Sequence, residues 1–148
     1  MSHMQGYYLE DLEVGMAAEY SRTITDTDVV LFAGISGDDN PVHLNEEYAR
    51  ATPFKGRIVH GMLLAGLISC VAGTRMPGPG AIYIDQKLRF RAPVRVGDTV
   101  TAVNTVTELQ PERRRIRMQT LCRVGDTVVV EGEATFLVPS RAVLAEAV

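Results

Sequence analysis

The stretch from Gly61 to Gly73 is the feature that most limits how this chain can fold. It reads Gly-Met-Leu-Leu-Ala-Gly-Leu-Ile-Ser-Cys-Val-Ala-Gly, and its apolar side chains are spread over every side of a helix. A helix that is apolar all round is normally covered by protein. At about 1.5 Å per residue it would be roughly 20 Å long, too short to cross a bilayer and suited to the centre of a small domain. We therefore expect a central helix around which the remaining chain packs.

The rest of the chain offers strands to cover that helix. In 81–91, Ile82, Ile84, Leu88 and Phe90 alternate with charged residues, which predicts a half-buried strand. Other segments rich in alternating or β-forming residues predict strands over 17–24, 100–106, 113–124 and 128–138. Because the helix and one sheet face both need covering, we expect an α+β fold in which a single antiparallel sheet wraps the long central helix.

Composition limits the class of protein and its partners. The chain has 148 residues, 46% of them hydrophobic and 22% charged, which is ordinary for one globular domain. A formal net charge of -3 argues against nucleic acid as a partner. Cys70 and Cys122 lie in apolar runs without metal-ligand spacing, so we expect buried free thiols in a reducing compartment, and no metal. A cytoplasmic protein is expected, with no secretory leader and no membrane contact.

The ends of the chain are interpreted as tails. Met1-Ser2-His3-Met4 resembles a cloning remnant, so 1–5 is assigned to a remnant and N-terminal tail, and His3 is left out of functional reasoning. A single domain is expected over 6–139. The segment 140–148 is expected to be a frayed C-terminal tail.

The stretch from Ser36 to His43 concentrates groups that can handle protons. It reads Ser-Gly-Asp-Asp-Asn-Pro-Val-His, with a carboxylate at Asp38, a carboxamide at Asn40 and an imidazole at His43. Glycine and proline at the intervening positions favour a turn that folds back and brings these groups together. Short helices are expected on both sides of the turn, capped by Thr25 and Asn45. Taken alone, such a string is more often a simple loop.

Three blocks of sequence resemble the MaoC-type hydratases, the (R)-specific enoyl-CoA hydratase branch of the hot-dog fold. They cover 32–43, Ile58-Val59-His60-Gly61-Met62, and 90–94 followed by Val96-Gly97-Asp98. The blocks stand in the family's order and spacing, and the resemblance extends over nearly all of 6–139. One departure is Asn45, where the family often has Asp.

The resemblance implies a function and roles for particular residues. Members of this family hydrate a trans-2-enoyl thioester to the (R)-3-hydroxyacyl thioester, or run the reverse dehydration, and usually form dimers. Carried onto this chain, Asp38 and His43 match the catalytic pair, and Asn40 matches the residue that orients it. Gly61 matches the N–H group of the oxyanion hole, and Ser69 falls near the pocket. A homodimer without a cofactor is expected.

Further residues are candidates for contact with the substrate. We assign this role to Ser36, His60, Met62, Lys87 and Arg89. The basic strip of Lys87, Arg89 and Arg91 could meet the phosphates of coenzyme A or the acidic surface of an acyl carrier protein, although it also fits a solvent-facing strand. His60 on its own also fits a packed histidine, and Ser69 a helix residue bonded to backbone.

Other functions share this fold and are left open by the residues alone. A hot-dog acyl-CoA thioesterase commonly has a carboxylate on or near the central helix, and 61–73 contains no Asp or Glu, which favours the hydratase. An acyl carrier protein dehydratase subunit or a non-catalytic acyl-CoA sensor is a further alternative. A silent subunit is expected to have lost Asp38 or His43, and both are present.

Overall fold

A five-stranded antiparallel sheet curves around one long helix. The computed structural model describes residues 5–142. The elements in chain order are a 3₁₀ turn Leu9–Asp11, β1 Ala17–Thr23, α1 Asp26–Ser36, α2 Pro41–Leu44, α3 Glu46–Arg50, α4 Gly61–Thr74, β2 Ile82–Phe90, β3 Thr99–Gln110, a 3₁₀ turn Pro111–Arg113, β4 Arg115–Val124 and β5 Thr127–Leu137. The strand order is β1-β3-β4-β5-β2. The expected α+β hot-dog architecture is confirmed.

Helix α4 occupies the concave side of the sheet, as expected. Leu64, Ile68 and Val71 are buried against the sheet. The opposite side of the helix is open, because Met62 and Ser69 face a groove between α4 and β2. The expectation that the helix is covered on every side is therefore wrong for a single chain.

Strand β2 is the exposed edge of the sheet. Ile82, Ile84 and Phe90 are 56%, 43% and 55% exposed, so the expected half-buried strand is wrong for a single chain. The pairing with β5 shifts between Tyr83 and Asp85. Such a bulge shifts by one residue the pattern of which side chains face each side of the sheet. Tyr83 therefore packs on Phe136, and Ile82 lies on the other face. The sequence pattern could not indicate this shift.

The segments before α4 are short helices with side-chain caps. Thr25 caps α1 by accepting from the Asp28 N–H at 3.2 Å, and Asn45 caps α3 by accepting from the Tyr48 N–H at 3.0 Å, as expected. Helix α2 was not expected. It begins at Pro41, whose fixed φ suits the first position of a helix, and Asn40 caps it through the Val42 N–H at 3.1 Å.

Cysteines and chain ends were also predicted from sequence. Cys70 and Cys122 are free. Cys122 is buried, which raises the pKa of its thiol to about 12, whereas Cys70 is only half-buried, so the expected burial is wrong for Cys70. The expected remnant 1–4, and residues 143–148 of the expected tail 140–148, lie outside the described residues. The first part of that tail is attached, because the Ser140 hydroxyl donates to Glu10 at 2.5 Å and Arg141 pairs with Asp11. The domain division itself stays a prediction.

Across residues 5–142, none of the helices combines the length and the apolar character that crossing a membrane requires.

The close approach of strand β2 to strand β5 can be tested at Gly132 of β5. A Cβ atom there would lie 1.8 Å from the Lys87 carbonyl oxygen, whereas one at Gly73 in α4 would meet nothing within 4 Å. Gly132→Ala should therefore lower the free energy of unfolding by about 1–3 kcal/mol, because the backbones must separate. The control Gly73→Ala should be neutral or stabilising by up to about 1 kcal/mol. Urea denaturation measures both, and equal effects would contradict the pairing.

Candidate active site

Three titratable side chains meet where the short helices approach the start of α4. Asp38 lies in the turn between α1 and α2, His43 lies in α2, and His60 immediately precedes α4. One carboxylate oxygen of Asp38 and one ring nitrogen of each histidine lie within 4.8 Å of one another. The structure thus brings together the two residues assigned as a catalytic pair and adds His60 to them.

His43 is held in a defined orientation. Its ring is buried, and Nδ1 lies 2.8 Å from the carbonyl oxygen of Ile58. Because a carbonyl oxygen can only accept, Nδ1 carries the hydrogen and Nε2 of the neutral ring is an acceptor. Burial lowers the pKa of His43 below its usual value, and the bond to Ile58 partly opposes this effect. His43 is therefore suited to act as a neutral base.

Asp38 is exposed, and its neighbours hold its main chain. Its N–H donates to the Ser36 hydroxyl at 3.2 Å, and that hydroxyl donates to the Phe32 carbonyl at 2.6 Å. Ser36, assigned as a substrate contact, thus fixes the turn. Asn40 acts on His43 by capping α2, since its side-chain oxygen accepts from the Val42 N–H.

A cavity of about 400 Å³ opens beside these groups. Asp38, His43 and Gly61 line it together with Met62. Its other walls are Phe54, Ile58, Val59, Leu64, Phe90, Arg91, Ala92, Pro93 and Val94. A mostly apolar cavity with a few convergent polar groups is the usual form of a small-molecule site.

Gly61 places the N-terminus of α4 at the cavity. Backbone N–H groups at the start of a helix lack partners within the helix, and the helix dipole favours negative charge there. A Cβ atom at Gly61 would lie 2.5 Å from the ring of Phe90, so the position has no room for a side chain beside that ring. Because Gly61 itself lines the cavity, an anionic oxygen bound there could reach the N–H groups of this helix end.

The remaining sequence-assigned residues lie away from this cavity. Ser69 lines the separate groove along α4 and β2, a space of about 330 Å³ that Met62 also borders. Lys87 and Arg89 border a depression of about 570 Å³ with Glu131 and other residues of neighbouring strands. Arg91, which belongs to the same basic strip, borders the cavity instead.

The rings of His43 and His60 are in direct contact. They are stacked, with centroids 3.8 Å apart and an interplanar angle of 29°. A metal ion binds imidazole in the plane of the ring, along the lone pair of one nitrogen. One nitrogen of each ring is already engaged by a backbone carbonyl, His43 Nδ1 by Ile58 and His60 Nε2 by Asp38, so each ring keeps a single nitrogen for any other partner.

Arg57 joins the helices that carry the site. Its Nε donates to the His43 carbonyl at 2.6 Å and its Nη2 to Asp26 of α1 at 2.6 Å. Its backbone N–H donates to Glu46 of α3 at 3.2 Å. Sequence reasoning missed this residue, because nothing in the local pattern distinguishes it from a surface arginine.

Replacing Arg57 should loosen the attachment of α2. Arg57→Met removes two short charge-assisted bonds from a side chain that is 22% exposed, so the free energy of unfolding should fall by about 2 kcal/mol. Arg50→Met is a matched control, because the Arg50 pair with Glu46 is exposed and worth a few tenths of a kcal/mol, roughly. Chemical denaturation of both variants measures the difference, and similar losses would contradict a special role of Arg57.

Comparison with known proteins points to one family. The family described as "MaoC like domain" matches residues 11–130. The chain is 57% identical over 114 residues to a Rhodospirillum rubrum protein named "(R)-specific enoyl-CoA hydratase", covering 77% of this chain and 79% of that protein. It is 59% identical over 111 residues to the "3-hydroxybutyryl-CoA dehydratase" of Methylorubrum extorquens, covering 75% and 71%. The unliganded R-hydratase PhaJ1 of Pseudomonas aeruginosa has a TM-score of 0.86 and 46% identity, covering 93% of this chain and 88% of that one.

Proposed function

This chain belongs to the MaoC-like domain family, and we propose that it is an (R)-specific enoyl-CoA hydratase. It adds water to a trans-2-enoyl-CoA to give the (R)-3-hydroxyacyl-CoA, or catalyses the reverse dehydration. The observation that carries the proposal is the common cavity of Asp38, His43 and Gly61, which offers two proton acceptors beside a helix N-terminus.

A water molecule between Asp38 and His43 would be oriented for attack. The carboxylate and the bare Nε2 of His43 both accept, so the two hydrogens of the water point at them. A lone pair of the water oxygen is then free to approach the β-carbon of the enoyl group. The thioester oxygen, which becomes negative as the new bond forms, lies at the N–H of Gly61.

The proton balance follows from the state of the two acceptors. With His43 neutral and Asp38 ionised, neither group holds a spare proton at the start. The pair takes one proton from the water as the oxygen bonds to the β-carbon, and the pair returns a proton to the α-carbon. The hydroxyl and the hydrogen are thereby added and the pair is regenerated. The pair acts as one coupled unit.

A thioesterase is the main competing function, since it would accept the same acyl thioester. Helix α4 carries no acidic residue to attack the carbonyl carbon or to activate a water there. The polar groups instead lie at the start of the helix, which favours hydration. A second open question is the carrier, because an acyl carrier protein presents its acyl group through the same kind of thioester as coenzyme A. Competition between enoyl-CoA and the enoyl-acyl carrier protein as substrates would identify the natural donor.

Substitution of the pair tests the proposed chemistry. Asp38→Asn and His43→Gln should each lower kcat with crotonyl-CoA by about 10²- to 10⁴-fold, the usual contribution of general acid–base groups. Asp39→Asn is the matched control, because Asp39 is an exposed neighbour in the same turn and does not line the cavity. Loss of enoyl absorbance measures hydration, and a thiol reagent measures hydrolysis. Thiol release by the wild type, or full activity in either variant, would overturn the proposal.

We further propose a homodimer formed through β2 and the open side of α4. An edge strand has unpaired N–H and C=O groups that favour pairing with another strand. The apolar side chains of Met62, Ile82, Ile84 and Phe90 are exposed around this edge, and a second copy of the chain would cover them. The two free cysteines support a reducing, cytoplasmic location.

A charge on the edge strand tests the dimer. Ile84→Lys should convert a particle with twice the mass of one chain into a monomer, because a lysine would be buried without a partner. Val14→Lys is the control, since Val14 is also exposed but lies before β1, outside the proposed interface. Sedimentation equilibrium measures the mass, and a monomeric wild type at high concentration would contradict the interface.

A further inference from the structure

We propose that His60 is a positioning residue that holds Asp38 and His43 together. One ring nitrogen of His60 fixes the main chain of Asp38, and the face of its ring fixes the ring of His43. The inference rests on the proposed function, since it assigns His60 to the same reaction. His60 borders neither described cavity, so it acts through these two residues and does not touch substrate.

The first contact fixes the turn that carries Asp38. His60 is 1% exposed, and its Nε2 lies 2.9 Å from the backbone carbonyl oxygen of Asp38. That oxygen can only accept, so Nε2 carries the hydrogen and donates. Asp38 is exposed and lies beyond the end of α1, where Gly37 adopts a left-handed conformation. The buried imidazole therefore anchors an otherwise exposed turn to the start of α4.

The second contact fixes the ring plane of His43. The two rings are stacked at 3.8 Å, and Phe32 packs on His60 with a centroid distance of 4.9 Å. The bond from His43 Nδ1 to Ile58 holds one edge of that ring, and the face of His60 prevents the ring from turning about this edge. Nε2 of His43 is thereby held toward the cavity that Asp38 shares.

An unpaired nitrogen indicates that His60 is more than core filling. Within residues 5–142, its Nδ1 is buried and has no hydrogen-bond partner. Leaving a buried polar atom unpaired is destabilising, and an apolar side chain of similar size would avoid that loss. A hydrogen on Nδ1 would also be a buried donor without an acceptor. The ring is thus restricted to the tautomer that donates to Asp38.

Two variants separate the two contacts. His60→Phe keeps an aromatic face against His43 but removes the donor to Asp38. His60→Gln keeps an N–H donor but removes the face. Each should lower kcat for crotonyl-CoA about 10- to 100-fold, as expected for a small displacement of catalytic groups, while KM changes less than about threefold. Thermal unfolding of both variants is measured beside the kinetics. A purely structural residue would lower the unfolding temperature without lowering kcat selectively over KM.

The pH profile gives a readout that a structural role would not move. The charged and titratable groups around His43 are Asp38, His60, the Arg57 guanidinium at its carbonyl, and Arg91 across the cavity. Burial is the main cause of the lowered pKa of His43, and repulsion from His60 adds to it; a phenylalanine keeps the burial and removes the repulsion. In His60→Phe the acidic limb of kcat/KM should therefore move to higher pH. The proposal would be overturned if His60→Phe had the wild-type kcat and the acidic limb of its kcat/KM profile lay at the wild-type pH.

A measurement on the wild type decides the matter even if both variants fail to fold. The chain has three histidines, so a ¹⁵N-histidine spectrum contains three pairs of ring nitrogens, and His43→Gln identifies one pair. His60 should carry its hydrogen on Nε2 and His43 on Nδ1. A His60 hydrogen on Nδ1, with Nε2 bare, would overturn the proposal. This result does not depend on hydratase activity, so its failure is distinguishable from failure of the proposed function.

Discussion

The hydrogen bond from His43 Nδ1 to the carbonyl oxygen of Ile58, 2.8 Å long, is the interaction on which the site depends. It decides which ring nitrogen is bare, and it connects α2 to the segment that leads into α4. The core fixes that segment in turn, because the N–H of buried Val59 donates to the Val94 carbonyl at 2.8 Å. The packing of α4 against the sheet therefore determines the tautomer of an imidazole at the edge of the cavity.

Burial of His43 has opposite effects on chemistry and on stability. It keeps the proposed base neutral, because desolvation lowers the pKa of His43 in the folded chain. The unfolded chain has the usual, higher pKa and takes up its proton first as the pH falls. Stability is therefore lost between that usual value and the lowered folded value, on the acid side of neutrality. The same burial therefore lowers stability in acid and keeps the proposed base neutral at neutral pH.

The sequence predicted those elements that depend on residues close together in the chain. The apolar run 61–73 became α4, and the caps at Thr25 and Asn45 lie where their side chains meet free N–H groups. The features that it did not predict depend on contacts between residues far apart in the sequence. The pattern in β2 could not reveal the bulge at Ile84 or whether the strand is covered by its own chain. The stacking of His60 on His43 likewise joins two segments whose spacing in sequence carries no signal.

Phe90 belongs at once to the exposed edge of the sheet and to the wall of the cavity. Its ring lies against Gly61, at the helix end proposed to receive the anionic oxygen. Any surface that covers this edge consequently shapes the pocket as well. In the proposed dimer, the contact between subunits and the choice of substrate would therefore be coupled through one aromatic ring.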